Sequence, residues 1–233
     1  MVTPRKNTRH FRPNLFKFLR DLESNNNRDW FKANKSRYED HVKEPALQFI
    51  SDFGLFLRQV SPHFRADPRS NGGSLFRIYR DVRFSKDKRP YKTHTGIQFR
   101  HENCRDAHAP GFYLHLENGQ VFAAAGIWHP DSASLRRIRD AIVSDPARWK
   151  RINRAKRFCE RYELSGDRLV RPPKGYDPDH PLIEHLKYKD FIGVARLTQK
   201  DVTGDGFIQR YAKLSRRGAP LVKFLCEAVG VPF

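Results

Sequence analysis

Gly111-Phe112-Tyr113-Leu114-His115-Leu116-Glu117-Asn118-Gly119-Gln120-Val121-Phe122-Ala123-Ala124-Ala125-Gly126-Ile127-Trp128 is the stretch on which the fold turns. Asn118-Gly119 suits a two-residue hairpin loop, because both positions tolerate positive φ. The runs on either side, 111–117 and 120–128, are short and rich in aromatic and aliphatic residues, as strands are. Residues 95–100 have the same character, so the spacing predicts a short antiparallel meander.

Towards the N-terminus the apolar period becomes helical. Leu15, Phe18, Leu19 and Leu22 predict a helix over 14–23, which the polar run Ser24-Asn25-Asn26-Asn27 stops and re-caps. Trp30, Phe31, Tyr38 and Val42 predict a second over 28–42, ended or kinked by Pro45. A third carries Leu47, Phe49, Ile50, Phe53, Leu55, Phe56, Leu57 and Val60, apolar on more than half its circumference, and is expected at the centre of the core. Residues 62–73 read as a loop. Beyond the meander, helices are predicted over 131–143 and from Pro146 through Phe158, with a small hairpin around Gly166-Asp167. The tail reads as two helices, 207–214 and 220–229, split by Arg216-Arg217-Gly218. The expected fold is α+β: a helical N-terminal third, a central antiparallel sheet from about residue 75 to 128, and further helices packing on one sheet face. Residues 1–12 are expected as a flexible basic arm and 13–233 as a single α+β domain.

The 233 residues include 45 Lys and Arg against 26 Asp and Glu, a formal charge of +19 and a pI near 10.2. Such a surplus repels itself and invites an anionic neighbour: nucleic acid, a phosphorylated small molecule or an acidic protein. A merely solvated basic surface is the competing explanation. Cys104, Cys159 and Cys226 are odd in number and widely spaced, which excludes a disulfide framework and a CxxC motif and points to a reducing cytoplasm. The longest apolar run, 121–128, is far short of the roughly 20 residues of a membrane helix. No membrane association is expected.

The densest chemistry lies in 77–94, where Arg77, Arg80, Arg83, Lys86, Lys88, Arg89 and Lys92 face only Asp81 and Asp87. Guanidinium forks grip phosphate or carboxylate, and Tyr79, Phe84 and Tyr91 offer ring faces. The expected ligand residues are Arg77, Arg80, Asp81, Arg83, Lys88, Tyr91 and Lys92, with Trp30 and Trp128 as candidate stacking surfaces. The competing reading is an internal salt-bridge network, but two carboxylates cannot neutralise seven cations unless Glu39, Asp40 or Glu44 joins them.

Arg77-x-x-Arg80-Asp81-x-Arg83-Phe84-x-x-x-Lys88-x-x-Tyr91 resembles the signature of a conserved-hypothetical family of bacterial and fungal proteins, the domain of unknown function DUF2461. The likeness extends to Asn26-Asn27-Arg28-Asp29-Trp30-Phe31, Asn34-Lys35, Tyr38, Glu44-Pro45, and Ala125-Gly126 with Pro130, Leu135 and Arg139. The resemblance implies a shared fold and a shared site, and brings no reaction, ligand or catalytic residue.

For chemistry, Asp81 is a candidate acid or base, with His94 and His115 as candidate assistants. His94, His115 and His129 could hold a metal only if the strands bring them together, and neither a metal nor a cofactor is expected. A second basic block, Arg136-Arg137, Arg139, Arg148, Lys150-Arg151, Arg154, Lys156-Arg157 and Arg161, could follow a phosphate backbone or simply be a solvated helical face. No Walker loop, GxGxxG before a helix, HExxH, GxSxG, zinc finger, RNP box or two-carboxylate pattern is present. The leading expectation is binding of a phosphate-bearing ligand, including nucleic acid, through 77–92. The alternatives are an enzyme acting on a small phosphorylated or carboxylated substrate and an interaction module for acidic partners.

Overall fold

In the computed structural model, residues 9–103 and 108–233 are described; Cys104 and residues 1–8 of the expected arm lie outside them. Three of the last four arm residues are anchored. Phe11 is fully buried against Phe49 and Phe207, His10 Nε2 lies 2.8 Å from an Asp52 oxygen, and Arg9 pairs with Asp205.

Pro13 opens α1 (Pro13–Ser24), where its missing N–H costs nothing, and Leu15, Phe16, Phe18, Leu19 and Leu22 form the buried face. Asn27 caps α2 (Arg28–Ala33) by accepting from the Trp30 N–H at 2.9 Å. The helix expected over 28–42 is interrupted at Asn34 (φ −109°, ψ 16°), whose backbone N–H is shared between the Trp30 and Phe31 carbonyls and whose side-chain amide also donates to that of Trp30. It resumes as α3 (Lys35–Tyr38) and a π-helical turn (Glu39–Lys43) that runs straight into α4 (Glu44–Val60). Pro45 therefore starts a helix, sitting in its first turn. α4 buries Ala46, Phe49, Ile50, Phe53 and Leu57 but exposes Leu55, so it lies at the side of the core and not at its centre.

The meander is present as β1 (His94–Arg100), β2 (Gly111–Glu117) and β3 (Gln120–Ile127), with Gly119 at φ 78° in the hairpin loop. Asp131 caps α5 (Ser132–Ser144), and the basic helix after Pro146 is divided into α6 (Pro146–Asn153) and α7 (Lys156–Cys159). β4 (Glu163–Ser165) does not close a local hairpin at Gly166-Asp167. It pairs with β5 (Phe191–Leu197), which follows α8 (Ile183–Leu186) and docks on β3. The sheet is antiparallel, in the order β1-β2-β3-β5-β4, and so extends well beyond residue 128.

After α9 (Gln199–Thr203), one helix, α10 (Phe207–Val229), replaces the expected pair. Gly218 is a close-approach residue here and not a cap: a Cβ on it would lie 2.5 Å from that of Ala125. Pro220 removes a single intrahelical hydrogen bond, at about 3 kcal/mol, while both halves of the helix bury side chains at ~1.5–3 kcal/mol for each large one. Burial wins, and α10 occupies the centre of the core. Ile97, Phe99, Phe112, Leu114, Leu116, Val121, Ala123 and Ala125 supply the sheet's side of it. Strand alternation turns His94, Gly96, Gln98, Tyr113, His115, Glu117, Phe122, Ala124, Ile192 and Val194 to the opposite face.

Candidate functional site

The cationic segment is extended and folds back on itself as an irregular hairpin. Tyr79 pairs with Tyr91, Arg80 N donates to the Pro90 carbonyl at 2.9 Å and Lys92 N to that of Ile78 at 2.8 Å. Ile78 and Tyr91 point inward, and the Tyr91 ring stacks on Phe31 at 4.1 Å. Asn26 clasps the Tyr91 backbone from both sides, donating to its carbonyl at 2.9 Å and accepting from its N–H at 3.1 Å. Two stretches that carry the family resemblance are thus bound to each other.

Most of the expected anion forks are already engaged. Arg80 and Arg89 share Asp87, at 2.7 and 2.8 Å, and Arg83 holds Asp81 at 2.7 Å. Lys88 Nζ donates to the Val82 carbonyl. Arg83 holds the Asp81 carboxyl down to about 2, so Asp81 is a poor proton acceptor near neutrality. Tyr91, expected as a ligand wall, is core, and Trp30 packs beside Phe18 at the core's edge. Of the expected ligand residues, Lys92 lines a cavity.

That cavity, of about 620 Å³, occupies the sheet face turned away from α10. Phe76, Phe122, Ala124, Trp128, Ile192 and Val194 provide its apolar wall. Trp128, half exposed, stacks on His129 at 4.2 Å. Lys92, His94, Gln98, Tyr113 and His115 contribute the polar part. The Lys92 ammonium lies 5.4 Å from the centre of the Phe76 ring, and burial, then the Arg77 charge, draws its pKa down.

Beside it runs a hydrogen-bonded chain. The Tyr113 hydroxyl lies 3.0 Å from His115 Nδ1, His115 Nε2 lies 3.0 Å from Glu117 Oε2, and the Thr93 hydroxyl donates to Glu117 Oε1 at 3.0 Å. The His115 ring is sandwiched between His94 and Phe122, each at 4.7 Å. Burial opposes ionisation of Glu117, but the His115 and Thr93 hydrogen bonds outweigh it and lower its pKa. Burial, with His115 alongside, pushes His94 down to about 4, which leaves it neutral at physiological pH. The Tyr113 phenol is pushed up by burial and by the Glu117 charge.

Of the three strand histidines, His94 and His115 come together, whereas His129 is held 2.9 Å from the buried Asp190 carboxylate. The sequence reading missed Tyr113, Glu117, Phe122, Ile192 and Val194. The hairpin held a signal for the first three, because a two-residue loop sets Glu117 opposite Gln120, His115 opposite Phe122 and Tyr113 opposite Ala124. In the second basic block Arg139 is buried and donates to the Leu186 and Tyr188 carbonyls, and Arg148 pairs with Glu227. Those two are structural.

A family model described as "Conserved hypothetical protein (DUF2461)" matches residues 14–224, most of the chain and all of the elements that build the cavity. No curated protein and no solved structure matches. Among the described residues no helix is long and apolar enough to cross a membrane.

Proposed function

The chain belongs to the conserved-hypothetical family DUF2461, and we propose that its open sheet face binds a small organic anion: an apolar, preferably flat body carrying a carboxylate or phosphate. The observation that carries this reading is Lys92, a half-buried ammonium with no carboxylate partner among the described residues, lining a largely apolar cavity of about 620 Å³. A cavity of that size suits a ligand the size of a nucleotide or smaller. Lys92 and the nearby Arg77 charge receive the anion, and Phe76, Phe122 and Trp128 take the body. The Tyr113–His115–Glu117 chain adds acid–base capacity at the same wall, with Glu117 orienting the imidazole that would move the proton. Enzymatic turnover of such an anion is therefore favoured over capture of a polymer, because Asp81 and Asp87 already occupy Arg80, Arg83 and Arg89. A cytoplasmic setting is part of the same proposal, favoured by three widely spaced cysteines.

The test is a calorimetric panel of aromatic and aliphatic carboxylates and nucleoside monophosphates against wild type, Lys92→Met and Trp128→Ala. At least one class should bind, with affinity falling about tenfold or more in Lys92→Met, as loss of a charge-assisted contact requires. Absence of binding by every class, or binding indifferent to both substitutions, would overturn the reading.

A further inference from the structure

We propose that His94, His115 and Glu117 form a binding site for a divalent transition-metal ion, open on the cavity side. One ring nitrogen from each histidine and one Glu117 oxygen lie within 4.8 Å of one another. Bonds of about 2.0–2.2 Å to a shared ion would set such atoms about 3–3.5 Å apart, so assembly asks for roughly an ångström of side-chain movement. His115 Nε2 and Glu117 Oε2, at 3.0 Å, already have that spacing.

The surroundings are those of a ligand set. Metal-bound histidines generally give their second ring nitrogen to a polar partner, which fixes the ring and the tautomer. For His115 that partner is the Tyr113 hydroxyl at 3.0 Å from Nδ1, and for Glu117 the Thr93 hydroxyl holds the other oxygen. With an ion present the His115 proton resides on Nδ1 and is donated to the Tyr113 oxygen. The Nε2 lone pair would then face the metal. His94 makes no hydrogen bond among the described residues, although it is half-buried and stacked on His115. Its ring therefore has no competing partner to give up on turning to an ion.

Two imidazoles and one carboxylate select a first-row divalent ion such as zinc or ferrous iron over magnesium or calcium, which prefer all-oxygen shells. Three protein ligands leave coordination positions for the cavity's occupant. Lys92 lines the same cavity, so an anionic ligand could meet the ion and the ammonium together. The site shares its cavity, and His115 and Glu117, with the proposed function, but the grip on the anion rests on Lys92 and the aromatic wall, so binding of the anion and of the ion can each fail alone.

The experiment uses the full chain, stripped with chelator and titrated with Co2+, with visible ligand-field absorption and elemental analysis as readouts. Wild type should take up one ion per chain with an intense, low-coordinate spectrum. The gentle variant is His94→Ala, since His94 supports no hydrogen bond. In it, and in Glu117→Gln, affinity should fall at least about 100-fold, because even outer-shell partners of a metal are worth about 10–100-fold. His129→Ala and Lys92→Met should retain the ion. Full stoichiometry and an unchanged spectrum in a His94→Ala protein with wild-type circular dichroism would overturn the site, as would no stoichiometric uptake by wild type. Organic anions bound equally well in chelator by a protein that takes up no Co2+ would sink the metal and keep the anion reading. Ordered Co2+ uptake without any organic ligand would do the reverse.

Discussion

Asp81 stays ionised because Arg83 folds back onto it, through Nε at 2.9 Å, Nη2 at 2.7 Å and the backbone N–H at 3.2 Å. The same arrangement that makes Asp81 prominent in the sequence thus removes it from proton transfer. A carboxyl held down to about 2 contributes stability that is fully present above its ordinary value of 3.8 and is lost as pH falls through about 2. The pair is exposed, so the effect on global unfolding is expected to be small. Carbon-detected NMR titration should find the Asp81 carboxylate titrating near 2 in wild type and returning towards 3.8 in Arg83→Ala. An ordinary value in wild type would return Asp81 to the list of acid–base candidates. Asn26 makes the complementary point: its two hydrogen bonds to Tyr91 account for its place in the family resemblance without any ligand.

At the level of elements, α10 and β3 approach more closely than side chains normally allow, and Gly218 makes that possible. Gly218→Ala should gain about 1 kcal/mol of helix propensity and lose about 1–3 kcal/mol to overpacking against Ala125, for a net destabilisation in urea unfolding. Adding Ala125→Gly should recover most of the loss, whereas additive destabilisation would show that the two carbons do not meet. This contact also explains how far the sequence could be read. Asn118-Gly119 fixes the register of β2 on β3 by local chemistry alone, so the hairpin, and with it one face carrying Tyr113, His115 and Glu117, was legible. The β3–β5 pairing and the unbroken α10 were not, because both are decided by burial between distant segments, against local signals at Gly218 and Pro220. The pairing within the cationic segment was hidden for a related reason. Composition counts charges, but only the chain path of the hairpin decides that Asp81 and Asp87 each sit within reach of an arginine two residues on.

At the level of the molecule, the charge of +19 is not concentrated at the cavity. Arg157, Arg161, Arg210, Lys213, Arg216 and Arg217 line a separate groove of about 590 Å³ beside α10, with Asp201 the one acid among its lining residues. Arg210 is spent on the Asp205 and Asp201 carbonyls, Arg216 on Gln59 and Arg217 on Glu160, which leaves Arg157, Arg161 and Lys213 without a side-chain hydrogen bond or ion pair among the described residues. A surface of this kind attracts any polyanion by counterion release, without reading its sequence. Short DNA duplexes should therefore bind at low salt in fluorescence anisotropy. Affinity should fall by roughly 0.9 log units per log salt for each phosphate neutralised and be largely gone near about 200 mM. Arg157→Gln with Lys213→Gln should flatten that slope by about one per cation removed, while Lys92→Met leaves it alone. Binding that survives salt and weakens in Lys92→Met would instead bring nucleic acid to the sheet face, because only a ligand seated in the cavity can sense the ammonium at its edge.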